Sequence, residues 1–86
     1  MQKTIKLIVN GDHLTFNVDT PTYNRYLNEM QPTSKVAPAH NFLMRCVDAE
    51  SRATLEGLLE LPGAGVQMAA QVVGEFMPDI DIEAGK

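Results

Sequence analysis

KVAPAHNFLMRCVD, residues 35–48, is the stretch on which the fold turns. Ala39, Phe42, Leu43, Cys46 and Val47 recur at i, i+3, i+4, i+7 and i+8, a spacing that gathers them on one side of an α-helix. Asn41, Arg45 and Asp48 fall away from that side. Pro38 suits a first helical position, where its missing N–H would have had no partner. The spacing predicts a helix over 38–47 that enters a small core with its apolar face first. Asp48 then serves as the N-cap that stops it and starts the next element.

Upstream, residues 3–18 read as a β-hairpin. Ile5, Leu7 and Val9 alternate with polar residues, as do Leu14, Phe16 and Val18, with Asn10-Gly11-Asp12-His13 between them. Two registers compete. An Asn10-Gly11 loop pairs Leu7 with Leu14 and leaves Val9 opposite Asp12. A Gly11-Asp12 loop pairs Val9 with Leu14, Leu7 with Phe16 and Ile5 with Val18. Cross-strand apolar pairs contribute roughly 0.2–1 kcal/mol each, which favours the second register. Ile8 points to the opposite face. A two-stranded hairpin is marginal in water, so its apolar face needs a cover.

Helices supply that cover. Thr20 as N-cap and Pro21 at the first position open a helix whose Tyr23, Tyr26, Leu27 and Met30 share a face. Gln31-Pro32-Thr33-Ser34 ends it, and residues 31–37 form the longest expected connection and the segment expected to move. After the central helix, Leu55, Leu58 and Leu59 share a face, with Gly57 either weakening that helix or admitting a close neighbour. Leu61-Pro62-Gly63 breaks the run. A last helix over 64–77 presents Val66, Ala69, Ala70, Val73, Phe76 and Met77, and Pro78 ends it. In DIDIEAGK, residues 79–86, Ile80 and Ile82 alternate with acids, as an edge strand or as a disordered end near Lys86. The fold class is α+β: an N-terminal antiparallel β-hairpin (3–18) followed by about four short α-helices (20–77) and an acidic tail (78–86), all in one small domain.

Eighty-six residues make one domain, and a chain this short buries only about 60–65% of its unfolded surface. A homo-oligomer or a partner would therefore add stability. One cysteine precludes an intramolecular disulfide and fits a reducing compartment. The N-terminus lacks the apolar h-region of a signal peptide, and no apolar run approaches a membrane span of about 20 residues. The net charge of −4 is uneven: residues 1–46 carry five Lys/Arg against three Asp/Glu, and residues 47–86 carry two against eight. Without a basic cluster the chain offers phosphates no footprint, so nucleic acid is disfavoured. The acidic half reads as solvated helix surface or as a face for a basic partner segment.

No catalytic, cofactor or metal site emerges. His13, His40 and Cys46 are too few and too dispersed to hold a metal, and Cys46 lies on the apolar helix face rather than in a thiolate-stabilising setting. Asp48/Glu50, Glu56/Glu60 and Asp79/Asp81/Glu83 read as solvated carboxylates rather than an acid–base pair. Gly63-Ala64-Gly65 opens a helix without the pattern or the lysine of a phosphate loop. Methionine adapts its shape and is overused at promiscuous binding surfaces. Met44 and Met68 lie off the helix stripes and, with Val36 and Ile8, form the expected partner-binding surface.

Residues 28–48, NEMQPTSKVAPAHNFLMRCVD, resemble the tail assembly chaperones of tailed bacteriophages and prophages, and the likeness continues into LPGAGVQMAAQVVGEFMPDIDI, residues 61–82. The resemblance covers most of the chain and rests on no catalytic motif. It implies a non-enzymatic protein in the cytoplasm of the bacterial host. Such a protein binds the phage tape measure protein and keeps it soluble while tail tube protein assembles around it. It also implies that a chain ending at Lys86 is either the shorter of two products, the longer arising by ribosomal frameshift, or a variant that lacks the extension. The competing reading from the residues is a small homodimeric regulator or adaptor, joined through the hairpin edge or the 64–77 helix.

Overall fold

The computed structural model describes residues 1–85. Two antiparallel strands, β1 (Gln2–Val9) and β2 (Asp12–Asp19), lead into helices α1 (Thr20–Glu29) and α2 (Val36–Cys46). A single 3-10 turn (Ala49–Ser51) then runs into α3 (Arg52–Leu58), and α4 (Ala64–Phe76) follows. The hairpin-then-helices architecture is the α+β fold that the periodicities predict.

The core is one layer of side chains between the hairpin and the helices. Leu14, Phe16 and Val18 of β2 and Ile5 of β1 meet Phe42, Leu43 and Cys46 of α2, Leu55 and Leu58 of α3, and Val72 and Phe76 of α4. The face of α2 is as predicted: Ala39, Phe42, Leu43 and Cys46 are buried and Val47 is partly so. The helix begins two residues earlier than expected, so Pro38 sits in its third position, where its absent N–H still forfeits no helical bond.

The hairpin register differs from the favoured one. Leu7 faces Leu14, Ile5 faces Phe16 and Lys3 faces Val18, while Val9 faces Asp12. Asn10 and Gly11 form the loop with φ of +50° and +84°, the two left-handed residues that a tight twisted hairpin turn requires. Both registers put the same side chains on the core face. Burial therefore cannot choose between them, and the turn geometry outweighs the extra apolar pairs.

The start of α1 is also displaced. Asp19, not Thr20, is the N-cap: its carboxylate accepts a hydrogen bond from the Thr22 amide at 2.9 Å. Asp48 does stand at the start of the 3-10 turn, yet its side chain makes no capping bond. The connection after α1 is shorter than 31–37, and Gln31 and Ser34 close it by exchanging two backbone hydrogen bonds of 3.1 Å. Gly57 has open space around it rather than a packed neighbour. Residues 78–85 form no strand or helix, and the expected disorder near Lys86 lies outside the described residues.

Candidate functional site

Helix α4 is apolar almost all the way round, with Val66, Met68, Ala69, Ala70, Val72, Val73, Phe76 and Met77 in twelve residues. Only one stripe can face the core. Met68, Ala69, Val72 and Phe76 are buried, so the helix is rotated from the expected face. Ala70 and Met77 are exposed, and Val66 and Val73 are half-buried. These four recur at i, i+4, i+7 and i+11, a second apolar stripe on the same helix.

That second stripe is one wall of a groove of about 390 Å³. The other wall is Tyr26 and Leu27 of α1 and Met30 at its C-cap, and Lys35 and Gly74 complete the lining. Leu27 and Met30, expected in the core, are 43% and 36% exposed. The groove is held from behind. The Tyr26 ring stacks on Phe42 at a centroid distance of 4.7 Å, and Tyr23 packs on Phe76 at 5.4 Å. Burial raises the phenol pKa of Tyr26, so it presents a neutral hydroxyl. On the outer side of α1, Glu29 accepts hydrogen bonds from Arg45 at 2.9 and 3.4 Å, fixing α1 against α2. The arrangement offers an apolar trough with two small residues, Ala70 and Gly74, where another backbone can approach closely.

The residues expected to form the binding surface do not come together as one patch. Met68 is only 4% exposed and belongs to the core, which corrects its expected exposure. Met44 is half-buried against the same core, and its carbonyl accepts a hydrogen bond from Arg52. Ile8 is exposed on the hairpin and Val36 on α2. Ile8 shares a depression of about 300 Å³ with Leu7, Val9 and the edge of Met68, whereas Val36 borders a different hollow beside His40 and Leu61. Sequence reasoning missed the groove because Val66, Ala70, Val73 and Met77 were assigned to the core.

Among the described residues that line the groove there is no histidine, cysteine or carboxylate. Cys46 is buried, and burial pushes its thiol up to about 12. Among the described residues no group of three His, Cys, Asp or Glu side chains is placed to hold a metal ion. Among the same residues no helix is long and apolar enough to cross a membrane.

A family described as phage tail assembly chaperone matches residues 5–86. The chain belongs to the phage tail assembly chaperone family. A protein of Haemophilus phage HP1 (strain HP1c1), described as an uncharacterized 11.3 kDa protein in the lys 3' region, is 30% identical over 82 residues. That alignment covers 95% of this chain and 80% of the relative. No solved structure matches.

Proposed function

We propose that the protein binds an apolar helical segment of the tape measure protein in the α1/α4 groove and keeps it soluble during tail assembly, in the cytoplasm of the bacterial host. Tail tube protein is the second candidate client, and no catalytic step is involved. The observation that carries this reading is the second apolar stripe of α4. Val66, Ala70, Val73 and Met77 face Tyr26, Leu27 and Met30 across an open trough of about 390 Å³. A helix laid into such a trough contributes apolar residues at i, i+3 or i+4 and i+7, and it replaces water along both walls. Met30 and Met77 line the trough, and methionine adapts its shape to varied helix surfaces along a long client. Membership of the tail assembly chaperone family supports a phage tail protein as the occupant.

Co-expression with a tape measure protein of a tailed phage tests the reading. The client is expected in the soluble fraction and in a complex with this chain. Ala70→Glu and Leu27→Glu, both at exposed positions, are expected to abolish the complex while leaving the circular dichroism spectrum unchanged. A complex that survives both substitutions would place the client elsewhere.

A further inference from the structure

The β2 edge of the hairpin is tied to the helical part at one residue, Thr15, whereas the β1 edge is tied at none of Thr4, Lys6 and Ile8 among the described residues. Thr15 of β2 turns its backbone groups outward, and both are satisfied: its N–H donates to Ser51 Oγ at 3.0 Å and its carbonyl accepts from the Asp48 amide at 2.8 Å. In the same register, Thr4, Lys6 and Ile8 of β1 turn their N–H and C=O groups to the opposite edge. Those groups have no backbone partner among the described residues. A row of unpaired strand groups is a template for one more strand.

The molecule also contains a segment with the pattern of such a strand. In Asp79–Glu83, Ile80 and Ile82 alternate with Asp79, Asp81 and Glu83, and the two isoleucines are 70% and 82% exposed. A strand with this pattern puts its isoleucines on one face and its acids on the other. Beside the open edge, the core face of β1 continues into a depression whose floor for an isoleucine is Leu7, Val9 and Met68, with Asn10, Gln67 and Gln71 also lining it. The opposite face carries Lys6, a counter-charge for the acids.

We propose that Asp79–Glu83 of a second copy of this chain adds to the free edge of β1 as a third strand, with Ile80 and Ile82 toward the Leu7/Met68 depression and Asp81 beside Lys6. Within one copy the segment pairs with no strand and both isoleucines are exposed, so the seat is left to another copy. Reciprocal exchange closes a two-fold dimer, and the acid–lysine match excludes strands of the wrong charge.

Sedimentation of the whole chain should give twice the 9.5 kDa monomer mass. A version shortened to residues 1–78, which leaves every core residue in place, should be monomeric, as should Ile80→Asp/Ile82→Asp. Adding a synthetic peptide of residues 78–86 to the shortened version should shift and protect the amides of Thr4, Lys6 and Ile8 in a two-dimensional NMR spectrum. Ala70→Glu in the α1/α4 groove should leave the dimer intact, which separates this seat from the client groove. A whole chain that stays monomeric overturns the proposal, whether its own segment is free or paired to its own β1. A dimer that persists in the shortened version overturns it equally.

Discussion

The carbonyl of Thr15 accepts a hydrogen bond from the Asp48 amide at 2.8 Å, joining the outer edge of β2 to the chain just beyond α2. The neighbouring Ser51 completes the junction by accepting from the Thr15 amide at 3.0 Å, and Ser51 is itself buried. Ser51→Ala leaves a shielded N–H without a partner, which costs about 1–3 kcal/mol. Thermal unfolding of this variant is expected to begin at least several degrees lower. An unchanged melting temperature would show that water satisfies Thr15.

Phe42 and Leu27 are both apolar helix residues, and they should behave oppositely. Phe42 is fully buried and stacks on Tyr26, so Phe42→Ala should cost about 3–5 kcal/mol. Small domains have little stability to spare, and loss of cooperative unfolding is the expected outcome. Leu27 lines the open groove, so Leu27→Ala should fall within about 0.5 kcal/mol of the parent. Denaturant titrations that rank the two equally would contradict the burial pattern.

At the hairpin turn, Gly11 has φ of +84° and nothing within 4 Å of where a Cβ would stand. Any penalty for Gly11→Ala is therefore conformational, about 1 kcal/mol, rather than steric crowding. Asn10→Gly at φ +50° should be close to neutral. Chemical denaturation of the pair reads both values. A neutral Gly11→Ala would mean that the turn adopts another geometry.

Two half-buried carboxylates contribute to the acid limb of stability. Hydrogen bonding from Thr22 lowers the pKa of Asp19, and hydrogen bonding from Arg45 lowers that of Glu29. A depressed folded-state pKa stabilises above the ordinary carboxylate value, and that contribution fades as pH falls through the lowered one. The melting temperature should be level near neutrality and decline below about pH 4. Asp19→Asn/Glu29→Gln should flatten that decline. An unaltered acid limb in the double variant would assign it to other groups.

Cys46 offers a probe of local opening. With its thiol pushed up to about 12 by burial, its thiolate fraction at pH 8 is on the order of a thousandfold below that of an ordinary cysteine near 8.5. Iodoacetamide should label the native protein far more slowly than the urea-unfolded chain. Native labelling at the unfolded rate would mean that α2 leaves the core readily.

Much of the fold could be read from the chain alone. The alternation in 3–18 and the period of residues 39–47 specify a hairpin and a helix whose buried sides come out as expected. These elements are legible because each has a polar side as well as an apolar one. The α1 cap was displaced by one residue because Asp19 and Thr20 are both good capping residues. Only the backbone hydrogen bond from Thr22 distinguishes them.

The sequence by itself determined the order of elements and the inward face of α2. The tertiary structure decided the hairpin register, the face of α4 that is buried and the existence of the groove. The physical reason is degeneracy. Two registers bury the same residues, and a helix apolar on nearly every side has no preferred face until its neighbours are placed. Once the core claims Val72 and Phe76, the remaining stripe of α4 is left lining the groove, with nothing among the described residues to cover it.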